Sequence, residues 1–159
     1  MRCALGLLST LATLAGCGFS ETEGRAWCKR VLSETPRIAQ LAFALPEAPV
    51  STYNKDGKYP DWIGEITFDE FEWVAESKLS YRARATARLE PGPRLQVGAP
   101  PRAPATIAIT IGFFVHETPP PLMFLPSGHS LVPSRWYLQA IDGTKVDESG
   151  SAADYRSGE

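Results

Sequence analysis

The sequence predicts an α+β fold in which amino-terminal helices pack on a curved antiparallel sheet of four or five strands. Helical periodicity is confined to the residues before Pro46, and alternation of apolar and polar residues follows from residue 66 onward. Helices that all precede the strands indicate α+β rather than an alternating α/β arrangement. A β-sandwich with a helical preface is the alternative.

The composition is that of a folded protein without an excess of basic residues. Of the 159 residues, 43% are apolar and 21% are charged, which excludes wholesale disorder. The chain has 16 basic and 18 acidic side chains and a pI near 5.7. We therefore expect no nucleic-acid partner and no polybasic patch for anionic lipid.

The first residues have the pattern of a secretory signal peptide. Met1 and Arg2 precede an uncharged run from Ala4 to Ala15. This run is shorter than the roughly 20 residues of a membrane-spanning helix but fits the apolar region of a signal peptide, about 7–15 residues. We expect residues 1–16 to be removed, which also removes Arg2 and leaves a net charge of 15 − 18 = −3.

The run ends in Leu14-Ala15-Gly16-Cys17, which resembles the lipobox of bacterial lipoproteins. The resemblance implies cleavage before Cys17, a thioether from Cys17 to diacylglycerol and acylation of the new amino group. Several acyl chains would anchor the protein stably. In Gram-negative bacteria, an Asp at the position of Gly18 would retain a lipoprotein in the inner membrane. If the source is Gram-negative, we therefore expect an outer-membrane location facing the periplasm. The alternative is an ordinary secretory signal with Cys17 a plain thiol.

Processing leaves Cys28 as the one cysteine of the folded domain. Cys3 departs with the signal and Cys17 becomes the anchor, so no intramolecular disulfide can form. We expect Cys28 to be a small buried residue rather than a nucleophile or an intermolecular bridge.

Two short helices, or one helix kinked at Pro36, are expected between residues 20 and 45. Ser20 and Glu23 match a capping box. The residues expected on the buried faces are Trp27, Cys28, Val31 and Leu32 in the first helix, and Ile38, Leu41, Ala42 and Leu45 in the second.

Alternating residues predict the strands that follow. The parity of the apolar positions slips near Asp69 and Glu70, as a β-bulge would require. A hairpin loop of odd length is expected around Glu76, with partner numbers that sum to 152 or 154 and with Glu70 and Glu72 among Arg82 and Arg84. The inward positions are Leu79, Tyr81, Ala83, Ala85, Ala87 and Leu89 in one strand, and Ile107, Ile109, Ile111, Phe113 and Val115 in the next.

A short strand from Arg135 to Ile141 and an Asp142-Gly143 turn complete the expected sheet. We predict a single globular domain over residues 17–146 and a disordered tail over residues 147–159. The element order, with the Trp136 strand and the Asp142-Gly143 turn, resembles cystatin-like and nuclear-transport-factor-like rolls. The helix that those families place between strands is missing, so no functional residue is carried over.

Three segments are candidate sites. Leu122, Met123, Phe124 and Leu125 form an apolar run between prolines, which could bind a partner or close the core. Tyr53, Tyr59 and Trp62 bracket a polar turn and could stack on a ligand or pack on the core. His129 lies in the segment Ser127-Gly128-His129-Ser130, which lacks a nucleophile-elbow motif. We assign no catalytic residue, no metal site and no cofactor.

These observations predict a membrane-anchored envelope lipoprotein with a small non-enzymatic domain that binds another protein of the envelope. A module that binds glycan or a small ligand through Tyr53, Tyr59 and Trp62 is the first alternative. A membrane-anchored hydrolase centred on His129 is the second.

Overall fold

The computed structural model describes residues 19–48, 62–96, 102–118 and 130–151. Two helices precede a five-stranded antiparallel sheet whose strands follow one another in chain order. The elements are α1 (Glu21–Glu34), α2 (Pro36–Ala42), β1 (Ile63–Ser77), β2 (Ser80–Pro91), α3 (Pro93–Gln96), β3 (Ala105–Thr118), β4 (Ser130–Ile141) and β5 (Thr144–Ser151). The α+β class is therefore confirmed. The described strands form one sheet and not the two sheets of a β-sandwich.

The helices begin and break where the sequence indicates. The Ser20 hydroxyl accepts from the Glu23 amide, and the Glu23 carboxylate accepts from the Ser20 amide at 2.9 Å, which confirms the capping box. Thr35 separates the two helices, and Pro36 occupies the first turn of α2.

The buried face of α2 differs from the predicted stripe. Ile38 is buried, but Leu41 is 40% exposed, and Ala39 and Phe43 are buried instead. The helix ends at Ala42, so helical spacing does not extend to Leu45.

The first hairpin contains the predicted bulge in a different register. The pairing shifts between Phe68 and Glu70, as expected. Trp73 pairs with Ala83, however, so the partner numbers sum to 156 rather than 152 or 154. A further shift between Ala75 and Ser77 moves the turn to Lys78 and Leu79, and the loop has two residues instead of an odd number. Leu79, predicted to point inward, lies in this turn and is 42% exposed.

The core lies between the helices and one face of the sheet, which we call the inner face. Cys28, Val31 and Leu32 of α1 belong to the same buried cluster as the predicted positions of β2 and β3 from Tyr81 to Leu89 and from Ile107 to Val115. Cys28 is fully buried, and desolvation raises the pKa of its thiol well above the ordinary value. The expectation of a buried cysteine is confirmed.

The carboxyl-terminal hairpin is longer than predicted. Asp142 and Gly143 both have positive φ, 49° and 75°, as a tight two-residue turn requires. Residues 147–151, expected to be disordered, form the second half of β5. Backbone pairing with β4 does not need apolar side chains, and Gly150 fits because an added Cβ would lie 2.6 Å from the Trp136 indole. Residues 152–159 lie outside the described ranges.

Candidate binding groove and the apolar end of the sheet

The sheet face opposite α1 and α2, called the outer face here, carries charged and small side chains. In β2 it contains Arg82, Arg84, Thr86 and Arg88, as the alternation predicted. The buried residues of α1, α2 and α3 belong to the core on the inner face. The described residues therefore leave the outer face open.

The arginines of the outer face are paired with nearby carboxylates. Arg84 lies 3.3 Å from Glu72 on the neighbouring strand, Arg82 pairs with Glu76, and Arg88 lies 3.1 Å from Glu90. Both side chains of the Arg84–Glu72 pair are more than half exposed, so this pair adds at most about 1 kcal/mol to stability. The cross-strand contact confirms that Glu72 lies beside Arg84, and it accounts for this acidic group without a catalytic role.

A groove of about 450 Å³ crosses the outer face. Its floor consists of small side chains on β2, β3 and β4, namely Thr86, Ala108, Thr110 and Ala140. Glu70, Glu72 and Arg84 form one wall, and the β4–β5 turn at Gly143 forms the other. Glu70 and Glu72 stand on β1 and Arg84 stands on β2. The β1 and β4 backbones lie three strand spacings, or about 14 Å, apart.

The second wall is fixed by two hydrogen bonds from the turn to β3. The Asp142 amide donates to the Ala108 carbonyl oxygen at 2.8 Å. The Ala108 amide donates to Asp142 Oδ1, also at 2.8 Å. Asp142 thus continues the ladder beyond the last β4 pair, and the groove has a defined boundary on this side.

A second surface feature lies where the β1–β2 turn meets β3; β3 and β4 continue four pairs beyond it, to Thr118 and Ser130. We call this the apolar end and define it by Val74, Leu79 and Phe114, which are 39%, 42% and 44% exposed. The Phe114 ring makes an edge contact with Tyr137, with centroids 5.3 Å apart. Large apolar side chains exposed together commonly mark an interaction surface.

Phe19, the first described residue, is bound to the inner face near the same end. Its amide donates to the Tyr81 hydroxyl at 3.2 Å, and its carbonyl oxygen accepts from Trp73 Nε1 at 3.1 Å. The Phe19 ring also contacts the rings of Trp73, Tyr81 and Phe113 at centroid distances of 5.3–6.2 Å. Both backbone polar groups and the side chain of Phe19 therefore hold it on the sheet.

Most of the residues predicted for a site lie outside the described ranges. These are Cys17, Tyr53, Tyr59, His129 and the run from Leu122 to Leu125. Trp62 is half-buried and packs against the core, and the Arg94 guanidinium lies 5.8 Å from its ring centroid. His116, the one histidine within the described ranges, is exposed near the end of β3.

Sequence reasoning missed the groove. The available signal was a set of small outward residues, Thr86, Ala108 and Thr110, opposite the large inward side chains of the same strands. That pattern leaves room above a sheet, but the pairing of the strands was needed to place these residues side by side.

Within the described ranges, no group of three or more His, Cys, Asp or Glu side chains is arranged to hold a metal ion. No helix in the same ranges has the length and apolar character needed to cross a membrane. Comparisons with protein-family models, curated proteins and solved structures found no match to this chain.

Proposed function

We propose that this chain is a lipid-anchored lipoprotein of the bacterial cell envelope whose non-enzymatic domain binds another protein through the outer-face groove. The lipobox residues Leu14 to Cys17 support the anchor. In a Gram-negative source, Gly18 after the acylated cysteine favours the outer membrane with the domain in the periplasm.

The observation that carries the binding role is the small-residue floor of the groove between two charged or rigid walls. Thr86, Ala108, Thr110 and Ala140 allow the backbone of a second protein to approach the sheet closely. The spacing of about 14 Å between the β1 and β4 backbones accommodates an extended segment with its side chains.

The charges around the groove suggest how a protein partner would be oriented. Arg84 and Glu72 form an exposed pair at one wall, and both can exchange this contact for one with the partner. Rim charges of this kind contribute mainly to association rate and register. The run from Leu122 to Leu125 would provide a further contact with the same partner.

Photocrosslinking in the source cells tests this proposal. A photoreactive amino acid at Glu70, on the groove wall, should crosslink to one protein, whereas the same group at the exposed Lys29 of α1 should not. Ala108→Arg should then abolish the crosslink by filling the groove. Ala26→Arg, which alters an exposed alanine of α1, is the matched control and should preserve it. Equal crosslinking from Glu70 and Lys29, or retention in the Ala108→Arg variant, would contradict the assignment of the groove.

A further inference from the structure

We infer that the apolar end of the sheet rests on the bilayer surface, with the strands inclined to the membrane and the groove facing the aqueous space. This inference rests on the proposed acylation of Cys17 and adds an orientation to it. Three observations carry it: the attachment of Phe19, the side chains exposed near that attachment, and the direction of the strands.

The attachment of Phe19 limits how far the domain can move from an acylated Cys17. Only Gly18 separates the two residues. Two trans peptide steps span at most about 7 Å between α-carbons. Because Phe19 is hydrogen-bonded to Trp73 and Tyr81 rather than free, the lipid must enter the bilayer close to this part of the sheet.

The part of the sheet that holds Phe19 is the apolar end. Tyr81 is the second residue of β2, and its hydroxyl also lies 3.5 Å from the carbonyl oxygen of Lys78 in the β1–β2 turn. Phe113 pairs with Tyr81, and Phe114 follows it on the opposite face. Phe19 therefore lies near the turn on the inner face, and Phe114 lies across the sheet on the outer face.

The side chains exposed there suit a membrane interface. Leu79 occupies the tip of the turn, and Phe114 and Val74 lie on the outer face behind it. Water would otherwise surround these apolar groups, and insertion at the acyl boundary removes them from it.

The opposite end of the sheet differs in chemistry and in distance. Thr106 pairs with Arg88, and Arg88 is ion-paired with Glu90. Arg88 lies eight positions after Ser80, which corresponds to about 26 Å along an extended strand. The sheet must be inclined to the membrane, because β3 and β4 continue four pairs beyond Phe114, to Thr118 and Ser130. Thr106, near the other end of β3, then lies farther from the membrane than Leu79.

Fluorescence quenching in vesicles tests this orientation. The acylated full chain, extracted from cell membranes, is reconstituted into phosphatidylethanolamine–phosphatidylglycerol vesicles that contain a nitroxide-labelled lipid. Three variants are compared, each with an environment-sensitive fluorophore on one introduced cysteine, at residue 79, 41 or 106. Leu41→Cys is the matched control for Leu79→Cys, since the two leucines are 40% and 42% exposed. Cys28 should stay unlabelled because its thiol is buried.

We expect at least twofold stronger quenching at residue 79 than at residue 41, and the weakest quenching at residue 106. Equal quenching at the three positions, in protein that floats with the vesicles, would overturn the orientation while leaving the lipid anchor intact. A chain that does not float with the vesicles would overturn the anchor and the orientation together. As a second readout, Leu79→Asp combined with Phe114→Asp should reduce quenching of a fluorophore at residue 78 if this end enters the interface. Unchanged quenching in that variant would also contradict the inference.

Discussion

The indole nitrogen of Trp73 donates a hydrogen bond to the carbonyl oxygen of Phe19, 54 positions earlier in the chain, at a distance of 3.1 Å. This contact and the 3.2 Å bond from the Phe19 amide to the Tyr81 hydroxyl bind Phe19, two residues before α1, to the sheet. A segment that could have been a flexible tether is instead part of the core. The attachment of the domain to its proposed lipid anchor is therefore short and directional.

Replacing Phe19 with Ala should lower the free energy of unfolding by about 3–5 kcal/mol, because a ring that is only 3% exposed leaves a cavity among three aromatic neighbours. Phe114→Ala removes the same side chain from a position that is 44% exposed, and its cost should stay below about 1 kcal/mol. Urea unfolding of the domain without its lipid measures both. Equal losses would mean that Phe19 is not held as described.

Gly24→Ala should destabilise the domain although alanine favours helices. A Cβ at this position of α1 would lie 2.6–2.8 Å from three carbons of the Trp73 ring, which requires the helix or the indole to move. Overpacking of this kind costs about 1–3 kcal/mol, whereas the gain in helix propensity is about 1 kcal/mol. Thr22→Ala, on the exposed side of the same turn, should be neutral or slightly stabilising. A melting temperature raised by Gly24→Ala would contradict the packing of α1 on β1.

Glu34→Gln should stabilise the protein at neutral pH. Burial raises the pKa of the Glu34 carboxyl above its ordinary value of 4.5, and the nearby Arg30 opposes this only in part. The negative charge also lies at the carboxyl end of α1, where the helix dipole disfavours it. The penalty is present above the raised pKa and disappears as the pH falls through it, so the advantage of the Glu34→Gln variant should shrink in acid.

The control for Glu34→Gln is Glu21→Gln. Glu21 lies in the first turn of α1 and pairs with Arg25 at 2.9 Å, so its replacement should cost about 0.3–1 kcal/mol. Unfolding measured at pH 7.5 and pH 4.5 separates the two cases. A Glu34→Gln variant that loses stability at neutral pH would show that the Arg30 pair outweighs burial.

The two faces of the sheet should respond differently to truncation. Ile109 on the inner face is 3% exposed, and Ile109→Ala should cost about 2–5 kcal/mol. Arg84→Ala on the outer face should change stability by no more than about 0.5 kcal/mol, because its ion pair with Glu72 is well exposed. Comparable losses at both sites would mean that the faces are assigned the wrong way round.

Much of the fold could be predicted because alternation and capping are local signals. The inward side chains of β2 and β3 follow from a period of two, and the start of α1 follows from Ser20 and Glu23. The hairpin register was missed because it depends on a second bulge at Glu76. This bulge shifts the strand pairing by one residue, and no change in the pattern of apolar residues indicates it. The length of β5 was missed because pairing with the edge of β4 is satisfied by polar residues and Gly150.

The groove and the apolar end could not be predicted in the same way. Both depend on contacts between residues that are distant in sequence. Ala108 is hydrogen-bonded to Asp142, 34 positions later, and Phe19 is hydrogen-bonded to Tyr81, 62 positions later. Local composition identifies small or aromatic residues but does not indicate which of them meet. The proposed lipobox is different, because the pattern that suggests it lies in four consecutive residues.

Mass spectrometry of the mature protein from the membranes of its source tests whether Cys17 carries the proposed lipid. We predict an amino-terminal peptide that begins at Cys17 and carries a diacylglycerol thioether and an acylated amino group, together with a Cys17→Ser variant that is neither cleaved nor labelled by a palmitate analogue. An amino terminus at a residue other than Cys17, or a Cys17 with an unmodified thiol, would contradict the proposed lipid anchor.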